Sequence, residues 1–563
     1  MIEALLVFAL AIGLGWPLGH YLAAVMRGTP SRLDRAFGWI ERPLYAALGV
    51  DPARGQSWRG YVRAFALSNL VLGALVWTLF MTQAWLPLNP DGIPNLRWDT
   101  ALHTMVSFLT NTNQQHYSGQ AQLSYLSQMV GIVGLQVITP MMGLALAVAT
   151  LRALVGGRRD DASASATDEP DVGNYWVDVT RATLRFLLPL CLAWTLLLGA
   201  QGVPATLRGG PTATPVDATA GMTQQKLPLG PVAPMVAVKQ LGTNGGGWYG
   251  PNSAVALENP TPFSNLLETL AIILIPIAVV FMVGPFTRRR SLTALIFGAM
   301  LLMSLLSTAT GLWLEGHGPV ATALMEGKET RIGADASALW AMLTTQTSNG
   351  SVNAMHDSLA PLTGLVAIGN MLINAIWGGI GCGLAQFLVY LLLAAFLAGL
   401  MTGRTPELFG RKIEAREVRL LSLLILLQPL AVLGFTALTL SLPQFTGNSN
   451  PGFHGISQVF YEYTSAFANN GSGFEGLGDG TPWWNLTCTL VLLLGRFPAL
   501  IVPLVVAASL ARKRRAPEGT GTLRIETPTF ALTVVAVILI LTLLQFMPAL
   551  VLGPIADHLQ LTH

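Results

Sequence analysis

Four polar turns recur in a chain of 563 residues, 52% of which are hydrophobic and only 11% charged. Each turn follows a short apolar segment, and the third positions of successive turns are 132, 105 and 121 residues apart. The turns are rich in amides, hydroxyls and glycine and poor in carboxylates, so they offer uncharged oxygen ligands. They consist of Asn111, Thr112 and Asn113 (turn 1), Thr243, Asn244 and Gly245 (turn 2), Ser348, Asn349 and Gly350 (turn 3), and Asn469, Asn470 and Gly471 (turn 4).

Uncharged oxygen ligands of this kind suit a monovalent cation. Glycine at the third position permits a positive φ, which lets successive carbonyl groups point the same way. A ring of carbonyl oxygens can replace the hydration shell of K⁺, whereas Ca²⁺ and Mg²⁺ sites usually recruit carboxylates. Turn 1 has Asn113 in place of glycine, and we expect Asn113 to adopt the left-handed conformation that asparagine tolerates. Ordinary helix-capping turns are the alternative, which the fourfold recurrence disfavours.

The elements that must position these turns are membrane spans. Ten apolar runs reach the roughly 20 residues that cross a bilayer. The spans lie at about 3–25, 64–87, 124–150, 180–201, 264–284, 291–312, 361–400, 418–442, 483–511 and 527–552.

Four further apolar segments are too short to cross and predict re-entrant helices. Irregular backbone at membrane depth is tolerated where it is buried in protein or lines a watery cavity. We therefore predict an all-α polytopic membrane protein of four fused span–short helix–turn–span repeats around a pseudo-fourfold pore, after one leading helix. The short segments are 102–109, 232–241, 337–347 and 455–468, the repeats are 63–150, 175–284, 291–400 and 418–511, and the flanking regions are 1–62 and 525–563.

Charge predicts the orientation. Five alternate linkers hold 25 of the 32 Lys and Arg residues, and such linkers remain cytoplasmic. Both termini and all four turns are then expected on the outer side. The basic linkers are 27–63, 152–185, 288–290, 404–419 and 512–524.

The turns and their flanks resemble the four filter loops of a known family, the potassium-binding A subunit of the bacterial Kdp potassium-importing ATPase. The matching stretches are "TNTNQQHYSG" (110–119), "GTNGGGWYGPNSA" (242–254), "SNGSVNAMHDS" (348–358) and "TSAFANNGSGFEGL" (464–477). The resemblance implies that the twelve turn residues bind K⁺ from outside. It also implies an inner-membrane complex with a P-type ATPase B subunit, a C subunit and a small F subunit, in which the partner hydrolyses ATP.

The sequence is consistent with a subunit that is not an enzyme by itself. It contains neither a "DKTGT" phosphorylation motif nor a GxxxxGK[ST] loop. The predicted cytoplasmic linkers are shorter than about 40 residues, too short for a nucleotide-binding domain. We therefore expect K⁺ as the only bound ion, lipid contacts, and neither nucleotide nor nucleic acid on this chain.

Two other classes of function remain open. A self-standing K⁺ channel or transporter of the Trk/Ktr kind shares the four-turn plan. A membrane enzyme could use the loop histidines His103, His116, His356 and His454, but they are scattered without HExxH-like spacing, which disfavours a shared metal site.

Three features predict how the ion path is shaped. Gln115 follows turn 1 and is expected either to form hydrogen bonds in the outer vestibule or to serve packing. The seventh span is too long for one crossing and is interrupted by "NAIWGGIGCG" (374–383), whose Gly378, Gly379, Gly381 and Gly383 predict a flow-limiting loop beneath the filter or close helix packing. Arg496 lies inside the ninth span, where it is expected either to face the ion path or to pair with a distant carboxylate such as Glu462 or Asp357.

Overall fold

The fold was determined as a computed structural model that describes residues 2–30, 34–156, 169–217, 221–317, 325–517 and 523–562. These residues form twenty α-helices and two minimal antiparallel hairpins, β1 (Thr212–Ala213) with β2 (Gln225–Lys226) and β3 (Glu407–Leu408) with β4 (Arg411–Lys412). The all-α class predicted from the sequence is confirmed.

Within the described residues ten helical segments are long and apolar enough to cross a membrane, as predicted. Each contains at least one α-helix, and three of them, Ser127–Val155, Tyr175–Ala200 and Pro528–Thr562, also contain a π-helical segment. The spans are Ile2–Arg27 (α1), Trp58–Trp85 (α3), Ser127–Val155 (α6), Tyr175–Ala200 (α7 and α8), Pro262–Thr287 (α10), Arg290–Gly316 (α11), Cys382–Met401 (α14), Ala415–Leu440 (α15), Pro482–Ala511 (α18) and Pro528–Thr562 (α19 and α20).

The remaining helices are short and lie between the spans. Four of them precede the polar turns: α4 (Trp98–Leu109), α9 (Val232–Leu241), α12 (Ala334–Gln346) and α17 (Gly452–Ala468). The others are α2 (Asp34–Ala47), α5 (Gly119–Gln122), α13 (Pro361–Ile373) and α16 (Pro443–Thr446).

The span α10 is the most buried of the ten spans. It begins at a capping box in which Thr261 and Ser264 exchange side-chain and backbone hydrogen bonds, with proline at the first helical position. The leading helix α1 packs against it at Gly15 and Gly19, because a Cβ at either glycine would press into Ile277 or the Ala278 carbonyl. Small residues allow such close approach between helices in a bilayer.

The predicted long seventh span is two helices joined by an irregular loop. The helix α13 ends at Ile373, α14 begins at Cys382, and residues 374–381 form the intramembrane loop. Gly378 and Gly381 have φ values of 61° and 82°, which explains the break in physical terms. Gly383 was predicted to belong to this loop, but it lies within the first turn of α14.

Candidate functional site

The four turns contact one another in cyclic order. A Cβ built on Gly245 of turn 2 would overlap the carbonyl oxygen of Asn349 in turn 3, and one on Gly350 would overlap that of Asn470 in turn 4. A Cβ on Gly471 of turn 4 would lie 2.5 Å from the backbone nitrogen of Asn113 in turn 1. The Asn113 side-chain amide donates to the carbonyl of Gly245 at 2.5 Å, which closes the cycle.

Asparagine amides of turns 1, 3 and 4 donate to carbonyl groups in, or just after, the last turns of neighbouring short helices. Asn111 donates to the Thr243 carbonyl at 3.1 Å, Asn349 to the Lys239 carbonyl at 3.3 Å, and Asn470 to the Thr344 carbonyl at 2.7 Å. These side chains are fully buried. The amides therefore add hydrogen bonds between each of these turns and a neighbouring turn or short helix, which hold the turns together.

The backbone of the turns is left-handed at two kinds of position. Gly245, Gly350 and Gly471 have φ values of 65°, 75° and 104°, as the sequence predicted. The prediction for Asn113 was wrong, because Asn113 has no positive φ. Its side chain instead spans the gap to turn 2.

The left-handed residue of turn 1 is its first residue. Asn111 has a φ of 58°, and the equivalent Thr243 and Asn469 have values of 50° and 52°. For Thr243 this conformation is unusual, because a β-branched side chain crowds the backbone there. Such strain persists only where the surroundings hold it in place, which is typical of functional sites.

Gln115 connects the segments that follow turns 1 and 2. Its amide nitrogen donates to the Gly247 carbonyl at 3.2 Å, and its amide oxygen accepts from the Gly247 nitrogen at 3.1 Å and from Asn252 at 2.9 Å. Both ends of the side chain are thus engaged with the segment after turn 2. The predicted hydrogen-bonding role fits these contacts.

A buried charged network supports turn 2 and was not found from the sequence. The Lys239 ammonium group forms an ion pair with Glu258 and donates to Ser253 at 2.6 Å, while Ser253 donates to Glu268 at 2.7 Å. Glu258 also accepts from the backbone nitrogen of Tyr249 at 3.0 Å. The network links α9 and α10 to the segment after turn 2, and these links stabilise the position of the turn.

The intramembrane loop lies directly against turns 2 and 3. The backbone nitrogen of Ile380 donates to the Thr243 hydroxyl at 3.2 Å, and the nitrogen of Gly378 donates to the Gln346 carbonyl at the end of α12 at 2.9 Å. A Cβ at Gly379 would lie 2.9 Å from the Ser348 side chain. The predicted position of this loop next to the turns therefore agrees with the structure.

Arg496 is a buried residue of α18, and its guanidinium group contacts residues of two other spans. It contacts the Cys382 thiol at the start of α14 and donates to the Thr139 carbonyl in α6 at 3.3 Å. The Thr139 hydroxyl in turn donates to the Asn111 side chain of turn 1 at 3.1 Å. Arg496 thus lies between Thr139, which contacts turn 1, and Cys382, which follows the intramembrane loop.

The alternative of an ion pair for Arg496 does not match these contacts. In the described part of the chain no carboxylate lies within 4.0 Å of its guanidinium group. Glu462 instead contacts Gln114, and Asp357 contacts His454.

The loop histidines do not form one shared site. His103 and His116 stack with ring centroids 3.8 Å apart, whereas His356 bonds to Tyr461 at 3.0 Å and His454 lies between two carboxylates. The sequence spacing gave no sign of the stacked pair.

His454 links α17, α20 and the segment after turn 3 by charge. Its two ring nitrogens lie 2.9 Å from Asp557 in α20 and 2.9 Å from Asp357 after turn 3. Burial by itself lowers the pKa of His454, but the hydrogen bonds to Asp357 and Asp557 outweigh it and raise the pKa to about 9. The imidazolium form therefore joins α17 to both neighbours at neutral pH.

This link predicts a loss of stability at alkaline pH. Because the folded pKa exceeds the ordinary value of 6.5, the stabilisation is complete below pH 6.5 and is lost as the pH rises through about 9. We expect His454→Gln to remove about 1–3 kcal/mol at neutral pH and to flatten the decline of the melting temperature towards alkaline pH.

The measurement is thermal unfolding of wild type and His454→Gln across that pH range. Glu475 nearby also has a raised pKa, about 8, so the difference between the two proteins isolates the contribution of His454. Parallel pH curves for the two proteins would contradict the assignment.

Ten apolar spans folded around four contacting polar turns define a multi-pass membrane transport protein. The fold is similar to that of the potassium transporter TrkH from Vibrio parahaemolyticus, with a TM-score of 0.50 and 16% sequence identity over 90% of this chain and 97% of that one.

The family follows from sequence. Residues 5–559 match the family model described as Potassium-transporting ATPase A subunit. The chain is 45% identical to the potassium-transporting ATPase potassium-binding subunit of Gloeobacter violaceus, over 96% of this chain and 94% of that protein. It is 46% identical to the subunit of the same name from Pseudomonas putida, over 97% and 96% of the two chains. The chain therefore belongs to the Potassium-transporting ATPase A subunit family.

Proposed function

We propose that this chain binds extracellular K⁺ in a selectivity filter formed by the twelve turn residues and delivers it for ATP-driven import. The observation that carries the proposal is the closed cycle of contacts among the four turns, each of which lies at the C-terminus of a short helix. Helix C-termini carry partial negative charge and favour a cation. Family relatives that share 45% identity are named as potassium-binding subunits.

The proposed ion path continues only as far as the intramembrane loop. Gly378, Gly379 and Gly381 bring backbone close to turns 2 and 3, and Arg496 adds a buried positive charge beside the loop. Together they obstruct a straight passage into the cytoplasm. An obstructed path suits a subunit that hands its ion to a pump more than it suits an open channel.

The proposed partners are those of a Kdp-type complex. A P-type ATPase B subunit would hydrolyse ATP, and a C subunit and a small F subunit would complete the assembly in the bacterial inner membrane. This chain would itself bind K⁺ and no nucleotide. The relatives' name places them in a potassium-transporting ATPase, which supports this assignment.

Purification of the native complex tests the proposal. We expect a P-type ATPase to copurify with this chain and its hydrolysis to be stimulated by K⁺ over Na⁺. Copurification of a soluble nucleotide-binding ring, with K⁺ flux independent of ATP hydrolysis, would favour the Trk/Ktr-like alternative.

The proposed topology has its own test. Val216 is fully exposed between the fourth span and α9, and Arg514 is exposed in the last basic linker. We expect an impermeant thiol reagent applied to intact cells to label Val216→Cys and not Arg514→Cys, since basic linkers remain cytoplasmic. Wild type is the matched control, because Cys191 and Cys488 are buried and Cys382 is partly buried. The reverse labelling pattern would show that the chain has the opposite orientation in the membrane.

A further inference from the structure

A buried cluster of side chains of the types that bind metals lies next to turn 1, outside the proposed K⁺ filter. His116, Glu462 and Cys488 each direct one ligand atom into the same space, and these atoms lie within 4.8 Å of one another. They come from three elements: the segment after turn 1, α17 and α18. All three side chains are buried.

The hydrogen bonds around His116 determine which ring nitrogen is free. Asn485 donates through its amide nitrogen to Asp99 at 2.9 Å, so its amide oxygen is the acceptor that faces His116 Nδ1 at 2.8 Å. Nδ1 must then carry a proton, so in the neutral imidazole it is Nε2 that has the lone pair. A hydrogen bond of this kind on the far nitrogen is the usual support of a metal-binding histidine.

The free nitrogen faces negative charge. His116 Nε2 lies 3.3 Å from Glu462 Oε1 and 3.9 Å from Asp479 Oδ2. A lone pair directed at carboxylates is unfavourable unless a cation lies between them, and that cation is either a proton or a metal. The Gln114 amide, which donates to Glu462, adds no positive charge.

We propose that His116, Glu462 and Cys488, with Asp479 at the rim, form a binding site for a thiophilic divalent cation of the Zn²⁺ class. Tetrahedral Zn²⁺ with bonds of 2.0–2.3 Å separates its ligand atoms by about 3.3–3.8 Å, close to the His116–Glu462 and His116–Asp479 distances. Thiolate, imidazole and carboxylate ligands together favour Zn²⁺ over Mg²⁺ or Ca²⁺.

The site is accessible and adjoins the filter. The Asp479 side chain is 31% exposed, which gives an ion a route from solvent to the buried ligands. On binding, the Cys488 thiol loses its proton to solvent and the thiolate sulfur coordinates the metal. The bound metal would join the exit of turn 1 to α17 and α18.

Cobalt(II) binding to the purified protein tests the site, because a Co²⁺–thiolate bond gives a charge-transfer band in the near ultraviolet. We expect wild type, purified with its native partner subunits, to show this band and Zn²⁺ to abolish it by displacing Co²⁺. Cys488→Ser should lose the band. Cys191→Ser, which removes a buried thiol in α8 outside this cluster, should retain it.

Two further variants keep the test decisive if Cys488→Ser does not fold. Asp479→Asn changes only the exposed rim, and His116→Gln removes the imidazole ligand; each should weaken Co²⁺ and Zn²⁺ binding about tenfold or more. Absence of a thiolate band in folded wild type, or equal metal affinity in wild type and the two variants, would overturn the proposal. A proton on His116 would then be the cation that faces Glu462.

Discussion

Gly245→Ala is expected to raise the K⁺ concentration for half-maximal ATPase stimulation tenfold or more and to reduce discrimination against Rb⁺ and Na⁺. Gly245 has a φ of 65°, at which a Cβ costs about 1–2 kcal/mol. In addition, the new Cβ would overlap the Asn349 carbonyl oxygen and lie 2.5 Å from the Ser351 nitrogen, so turns 2 and 3 must separate. A change of 1.4 kcal/mol in K⁺ binding corresponds to a factor of ten in affinity.

A matched glycine separates backbone strain from disturbance of the turns. Gly403 has the same φ of 65°, but a Cβ there would meet no atom within 4 Å. Gly403→Ala should therefore introduce the same backbone strain but leave K⁺ affinity and ion discrimination unchanged. Equal half-saturation and selectivity for Gly245→Ala and wild type would contradict the filter role of turn 2, and thermal unfolding would show whether both variants fold.

Local patterns explain why the spans and turns could be predicted. A bilayer imposes a minimum apolar length, so the ten spans stand out in sequence, and α9 or α17 stand out because they are too short to cross. The turns were found because they recur, and glycine marks the left-handed positions at 245, 350 and 471. The same reasoning failed at Asn113, because tolerance of a conformation does not require it.

Contacts between distant parts of the chain had no comparable signal. The Lys239–Glu258 pair is only 19 residues apart, but nothing in the sequence shows that both groups are buried together. His116 contacts Glu462, which lies 346 residues further along the chain. This contact depends on how α17 packs against the segment after turn 1. The left-handed Thr243 was unpredictable for another reason: β-branched residues avoid this conformation unless the surrounding structure imposes it.

Arg496→Met should produce the second large effect, a complex that assembles and hydrolyses ATP but leaks K⁺ or transports it without tight coupling. Methionine retains much of the side-chain volume and removes the charge. In wild type that charge contacts Cys382 beside the intramembrane loop and the Thr139 carbonyl beneath turn 1. A buried arginine without an ionic partner costs about 3 kcal/mol or more in a membrane, which implies a functional reason for its presence. The measurements are passive ⁸⁶Rb⁺ flux and the ratio of K⁺ uptake to ATP hydrolysis in proteoliposomes.

Two control variants distinguish a charge barrier from a structural role. Arg496→Lys keeps the positive charge and should restore most of the coupling even though it loses one of the contacts. Arg411 is equally buried but donates to the Ala153 and Leu154 carbonyls, away from the turns, so Arg411→Met should lower stability without opening a leak. If Arg496→Met fails to assemble and Arg496→Lys does assemble, the charge serves packing of α18. If Arg496→Met pumps as tightly as wild type, Arg496 is not part of the proposed barrier, and only the intramembrane loop is left as a candidate for it.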